Sequence, residues 1–298
     1  MSGKGIPMKT RKRLILNVIL AASSVSLLIC VLLLAQYYYA SYRYRKQQKQ
    51  IADMIHGSIV SNSITTDACS SSWDSEKKEI PQAVTTEAAV MSEQPENQLE
   101  PTPSLWQEQY QTLVSANPDC AGFLEIPGTA IQFPIMFTPT EPEKYLYRDF
   151  FGKNEKRGTP FLDKATVLGE SQNYIIYGHN MKDGSVFGTL PSFLDKNFCE
   201  EHRLIYFNMA VSEGVYEIVA VCKTEVLARV SEEFKYYQYG GPLSQADFEI
   251  YAESIRDMAN LLFDYDVKWE DELLTLSTCY HRRSGDDGRL IVVAKRIR

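Results

Sequence analysis

From Leu14 to Tyr42 the chain carries no charged residue, and the run LILNVILAASSVSLLICVLLLA inside it is almost wholly apolar. About 20 helical residues cross the hydrocarbon core of a bilayer, so this stretch predicts a transmembrane helix. Tyr37, Tyr38, Tyr39, Tyr42 and Tyr44 follow, as suits rings that settle at the membrane–water boundary. A cleavable signal peptide would carry a shorter apolar region and end in an A-x-A-like site. Basic residues flank both ends of the span, Lys4 to Arg13 before it and Arg43 to Lys49 after it, so the positive-inside rule sets no orientation.

The pattern then changes. Residues 65–104 are acidic and rich in Ser, Thr and Pro, with few large apolar side chains to offset the entropy of ordering them. This predicts a flexible tether over 43–103, although 43–64 are compatible with a continuation of the membrane helix. Periodicity resumes at Ser104. Ser104 and Gln107 fit a capping box, Trp106, Tyr110, Leu113 and Val114 follow helical spacing, and Asn117-Pro118 ends the helix. Eight short β-branched or aromatic runs come next: GFLEI, IQFPIMF, TPFLD, NYIIYGH, RLIYFNM, VYEIVAVCKTEV, LLTLSTC and RLIVVAKRI. Turn-forming pieces such as Pro127-Gly128 and Lys182-Asp183-Gly184 separate them, which predicts a mainly β domain, a barrel or sandwich, over 104–298. One long helix interrupts the strands, capped by Ser244 and Asp247, with an apolar stripe of Phe248, Tyr251, Ile255, Ala259 and Leu262.

Composition narrows the function. In 298 residues the formal net charge is −7, with no basic run outside the N-terminal region, which argues against a nucleic-acid partner. Six cysteines (30, 69, 120, 199, 222 and 279) are dispersed with no C-x-x-C, so neither a zinc site nor a redox motif is suggested. No Gly-rich phosphate loop joins a strand to a helix.

Three strand ends carry reactive side chains. His179 closes the NYIIYGH run, Cys279 closes LLTLSTC, and Arg289 opens the final run. A thiol needs a base or a cationic neighbour to become a good nucleophile, and His179 offers either. Arg289 offers a permanent charge and a planar fork of donors for an oxyanion or carbonyl. It lies ten residues after Cys279, which suits two antiparallel strands with neighbouring ends. Taken singly, a strand-end Cys is more often a small buried residue, a His a satisfied core or surface residue, and an Arg a solvated one. Together on three strands of one domain they make a coherent set.

The segments NPDCAGFLEIPGTAIQFPIM, RGTPFLD, YIIYGHNM, TLSTC and GRLIVVAKR resemble the sortases in content and order, across residues 104–298. The two helices of that region make class B the nearest match. The resemblance implies an eight-stranded sortase-type β-barrel with an N-terminal helix and a long helix before the Cys-bearing strand, preceded by one transmembrane helix. It implies a cytoplasmic basic N-terminus (1–13), an anchor (14–42), an extracytoplasmic tether (43–103) and a catalytic domain (104–298) on the outer face of a Gram-positive plasma membrane. The implied enzyme is a cysteine transpeptidase that cleaves a C-terminal sorting signal, NPxTN or [SN]PxTG-like, after Thr. Its partners would be surface proteins bearing that signal and an amine of a cell-wall precursor or a pilin lysine. By matched position Cys279 is the nucleophile, His179 the acid/base and Arg289 the stabiliser of substrate and oxyanion. Leu146 and Ser277 match positions lining the family's substrate groove. No metal or organic cofactor is implied.

His281, two residues after Cys279, could compete as the base or tune the thiolate, although it falls in the loop HRRSGDDG where strand alternation fails, and residue types point to no third group that orients His179. Two rivals place their chemistry differently. Papain-like peptidases put Cys before His in the chain, and L,D-transpeptidases show a His-Gly-Cys type motif. From another class, a non-catalytic tethered adhesion module has no reason to react with a thiol-directed substrate mimic.

Overall fold

A computed structural model describes residues 8–67, 104–226, 231–280 and 288–298. The chain divides into two compact units, Met1–Gly57 and Ser58–Arg298.

The first unit is helical. Helix α1 runs from Met8 to Asp67, and its segment Asn17–Ile55 is long and apolar enough to cross a membrane. The hydroxyls of Ser23 and Ser24 donate back to the Leu20 carbonyl at 2.9 and 2.8 Å. This keeps both polar groups satisfied within an apolar stretch. Residues 43–67, at the start of the expected tether, are helical, since good helix formers such as Lys46, Gln47, Gln48 and Lys49 succeed one another without proline. The rest of that tether, 68–103, lies outside the described residues.

The second unit contains helix α2 (Leu105–Ala116). Its expected capping box is formed: the Gln107 amide donates to Ser104 Oγ at 3.2 Å, and Ser104 N donates to Gln107 Oε1 at 2.9 Å. A cap of this kind is worth about 1 kcal/mol. Buried Trp106 ties the helix to the barrel by donating its indole N–H to the Met209 carbonyl at 2.8 Å.

Nine strands follow: β1 (Cys120–Glu125), β2 (Gln132–Met136), β3 (Phe161–Leu162), β4 (Asn173–Tyr177), β5 (Leu204–Met209), β6 (Glu213–Glu225), β7 (Ala259–Leu262), β8 (Leu273–Cys279) and β9 (Gly288–Arg296). Their order is β5-β1-β2-β3-β4-β8-β9-β6-β7, and an additional pairing of β5 with β6 closes eight of them into a barrel. The eight expected runs are these eight strands. The ninth, β7, is a correction to the sequence reading. After the short helix α3 (Lys196–Glu201), the long helix α4 (Gln245–Met258) stops four residues before Leu262, and Ala259–Leu262 instead extends along β6. Ala259 and Leu262 fit the helical stripe by spacing, but the open edge of β6 offers them a ladder.

Helix α4 covers one face of the sheet. Phe248, Tyr251 and Ile255 pack with Leu273 of β8, Ile291 and Val293 of β9, and Val219 and Cys222 of β6. The alternate residues Leu274, Leu276, Leu290 and Val292 are fully buried on the other face. With both faces covered, β8 reads as a nearly continuous buried run rather than an alternating one. The polar members of that run are paired: Thr275 Oγ1 meets the Tyr251 hydroxyl at 2.7 Å and the Asn173 side-chain oxygen at 2.9 Å.

Candidate active site

The chemistry gathers where β4, β8 and β9 end together. Strand β4 runs parallel to β8 with Tyr177 opposite Ser277. The chain continues along β8 beyond that pair. Gly178 N donates to the Ser277 carbonyl at 3.1 Å, Thr278 Oγ1 donates to the Gly178 carbonyl at 2.7 Å, and the Asn180 side-chain amide donates to the Cys279 carbonyl at 2.8 Å. His179 is thereby carried alongside Cys279. Gly178 permits this route, because a Cβ there would lie 2.6 Å from the Phe187 ring.

On the other side of β8, strand β9 runs antiparallel with Arg289 directly opposite Cys279. Directly opposed residues project from the same face of a sheet. The ten-residue spacing therefore does set Cys279 and Arg289 opposite each other on one face of the sheet. One guanidinium nitrogen of Arg289 also donates to its neighbouring Gly288 carbonyl at 3.0 Å.

Leu146, Tyr177, His179, Tyr236, Cys279 and Arg289 all line a single cleft of about 810 Å³. The thiols differ sharply in surroundings. Cys120, Cys199 and Cys222 are buried, and burial pushes each of them up to about 12. Such thiols are inert at neutral pH. Cys279 is a free thiol, half-buried, and open to the cleft. Among the described residues no group of three His, Cys, Asp or Glu side chains could hold a metal ion.

His179 is half-buried, and its Nε2 lies 2.9 Å from the Leu146 carbonyl oxygen. A carbonyl only accepts, so Nε2 carries the proton and the neutral ring is left with Nδ1 as its basic nitrogen. The Tyr147 ring lies 5.4 Å from the imidazole, tilted by 38°. The backbone of Leu146 thus supplies the orienting group for His179 that residue types alone could not reveal. Leu146 is also a lining residue of the cleft, as is Ser277.

The hydroxyl of Ser277 is engaged, 2.8 Å from the hydroxyl of Tyr236. Tyr236 sits on a one-turn helix, Tyr236–Gln238, ahead of α4, and is a cleft residue that sequence reasoning passed over. Burial pushes its phenol above the usual value, while the Ser277 hydrogen bond and the Arg289 charge pull the other way. Tyr236 therefore lies within electrostatic reach of Arg289. The aromatic cluster KYYQYGG was the available signal, but it has neither helical nor strand periodicity. His281 lies outside the described residues.

With this geometry in hand, comparison with known proteins is informative. The sequence model of the sortase domain matches residues 124–297. Sortase B of Listeria monocytogenes is 30% identical over 189 residues, covering 63% of this chain and 74% of that protein. Among solved structures, a Staphylococcus aureus sortase B–substrate complex superimposes with a TM-score of 0.55 at 26% identity, over 64% of this chain and 86% of the other. A sortase B complexed with Gly3 gives a TM-score of 0.57 at 26% identity, over 64% and 86% of the two chains.

Proposed function

The chain belongs to the sortase family, and from that premise we propose that it is a membrane-anchored cysteine transpeptidase. It cleaves a C-terminal sorting signal of the NPxTN or [SN]PxTG kind after Thr and passes the acyl group to an amine of a cell-wall precursor. The observation that carries this reading is the alignment of three strand ends. The β4–β8 register brings His179 beside Cys279, and the β8–β9 register sets Arg289 across from it, all at one cleft.

The chemistry follows from that placement. The Cys279 thiolate attacks the Thr carbonyl carbon, and the electron pair of the C=O moves to oxygen. Arg289 donates hydrogen bonds to this oxyanion, the role for which a fixed planar fork suits best. Collapse breaks the C–N bond, and the His179 imidazolium gives its proton to the leaving amine, leaving a thioester on Cys279. An acceptor amine then attacks the thioester, its proton passes to His179, and the thiolate departs. The Gly3 bound to the related sortase B offers an acceptor amine of this class. Helix α1 supplies the anchor, with its N-terminus in the cytoplasm and residues 104–298 outside as the catalytic domain. Leu146 and Ser277 line the groove that takes the signal peptide.

The test uses the full chain in detergent with a fluorogenic NPxTN-type peptide and triglycine. Cleavage after Thr, a triglycine-linked product and an acyl group on Cys279 by mass spectrometry are expected. Cys279→Ala should abolish all three while keeping the fold, because Ala nearly fills the volume of Cys. Turnover retained by this variant would remove Cys279 from its role.

A further inference from the structure

The segment 138–158 forms much of one cleft wall yet contributes no strand to the barrel. It nevertheless holds the Leu146 carbonyl within 2.9 Å of His179 Nε2. Part of what secures it converges on Arg157 and Gly158. Gly158 has φ +63°, and a Cβ on it would lie 2.4 Å from the Leu146 oxygen and 2.7 Å from that of Tyr145, so its backbone is seated directly against the Leu146 peptide. Thr159 N donates to the Tyr145 carbonyl at 3.0 Å, closing the segment at the next residue.

Arg157, between these contacts and Glu155, is only 7% exposed. One of its guanidinium nitrogens donates to Glu155 Oε1 at 3.2 Å, within its own segment. The other donates to Asp183 Oδ2 at 3.0 Å, four residues beyond His179. Asp183 is itself oriented by Ser185, whose hydroxyl donates to Oδ1 at 2.6 Å. Burial pushes the Asp183 carboxyl up, but hydrogen bonds from Ser185 and Arg157 outweigh it and hold the carboxyl below the usual range. Asp183 is thus ionised at neutral pH. A single buried guanidinium therefore spans from the chain that offers the carbonyl to the chain that carries the imidazole.

We propose that Arg157 is a positioning residue for the transpeptidation reaction, clamping the Leu146 carbonyl onto His179 so that the imidazole keeps the Nε2–H tautomer and presents Nδ1 to the reacting groups. The inference rests on the acid/base role given to His179 above, but its first consequence, the tautomer, does not depend on activity. A planar fork with donors on two sides can bridge two carboxylates in fixed directions, which a lysine ammonium cannot. Small displacements of a catalytic group are costly, with losses up to about a hundredfold for a misplacement of 1 Å.

The experiment is nitrogen-15 NMR of histidine-labelled full chain in detergent, alongside peptide kinetics. In the wild type the neutral His179 ring is expected to show Nε2 protonated and Nδ1 bare. In Arg157→Met a mixture of tautomers is expected, with kcat down about tenfold and KM within about twofold, since the carbonyl clamp and not the groove is loosened. Arg157→Lys should recover only part of both signals. If Arg157→Met does not fold, Asp183→Asn keeps shape at a partly exposed site and should show the same changes on a smaller scale. A wild-type ring protonated at Nδ1, or a tautomer unmoved in every folded variant, would overturn the proposal. A tautomer that responds in a protein without peptide turnover would instead leave the clamp standing and defeat the transpeptidase reading.

Discussion

The two walls of the cleft are built by different means. On one, Cys279, Ser277 and Arg289 hang on the β8–β9 ladder, where seven opposed residue pairs from Leu273↔Lys295 to Cys279↔Arg289 set every side chain by alternation. On the other, Leu146 and His179 sit in irregular chain and Tyr236 on a one-turn helix, each held by one or two specific contacts. A ladder distributes positional control over many equivalent hydrogen bonds, so no single bond decides where Cys279 lies. The irregular wall concentrates control in a few groups, so single substitutions there can move a functional atom without disturbing the barrel. The chemistry proposed for this site pairs a nucleophile and an oxyanion donor on the rigid wall with the proton carrier on the adjustable one.

With Cys279 left in place, the largest effect should come from removing the proposed proton carrier. His179→Ala is expected to lower kcat by about 10³-fold, within the range for a general acid–base group. His281→Ala should cost far less, well below the roughly 10²-fold lower end of a general acid–base effect. Steady-state peptide kinetics on both variants decide the matter. If the losses are reversed, the acid/base group belongs to the nucleophile's own loop, and the division between the walls collapses.

Arg289→Lys probes the rigid wall. The substitution keeps the charge beside Cys279 but removes the fork, and a loss of about 10²-fold in kcat/KM is expected, the scale of one oxyanion donor. Alkylation of Cys279 by a small neutral reagent should change little, because activation of the thiol remains with His179. Near-normal peptide turnover would show that Arg289 serves only as local positive potential, and that ladder geometry is not being used.

The same contrast explains what the sequence made legible. Apolar runs ending in Cys279 and His179, and the ten-residue step to Arg289, obey strand periodicity, so the ladder wall could be anticipated from spacing, whereas spacing left barrel and sandwich open and only the resemblance to the sortases implied the barrel. The short strand β7 was missed because Ala259 and Leu262 also satisfy helical spacing, and only the edge of β6 decides between the two. On the irregular wall, Tyr236 and the Leu146 carbonyl left no trace in any period. A backbone carbonyl has no residue type at all, and Leu146 could be marked for its side chain but not for the atom that meets His179. The Arg157–Asp183 pair, 26 residues apart, joins two turns whose approach depends on the finished barrel.

The smallest effect concerns the outer end of the irregular wall. Asp119, just before β1, accepts from Lys144 Nζ at 2.6 Å and from the Tyr145 hydroxyl at 2.8 Å, anchoring the residues just before Leu146. Burial pushes the Asp119 carboxyl up, but the hydrogen bonds from Lys144 and Tyr145 and the Lys144 charge outweigh it and hold the carboxyl below its usual range. A carboxylate depressed in the folded state stabilises the fold above its unfolded value of about 3.9, and that stabilisation is lost as pH falls through the folded value. The ion pair is partly solvated, with its side chains 28% and 26% exposed, so its contribution should be below about 1 kcal/mol. Asp119→Asn is therefore expected to lower Tm by no more than about 2–4 °C at pH 7, with the difference fading as pH falls through the folded carboxyl's depressed value. Peptide turnover at neutral pH should stay within about threefold of wild type, because Gly158 and Thr159 still hold the Tyr145–Leu146 backbone and a 1 Å misplacement is what costs a hundredfold. A Tm difference that persists at low pH would assign the stabilisation to hydrogen-bond geometry instead of charge. A hundredfold loss of turnover would move control of the irregular wall from Arg157 to its outer end.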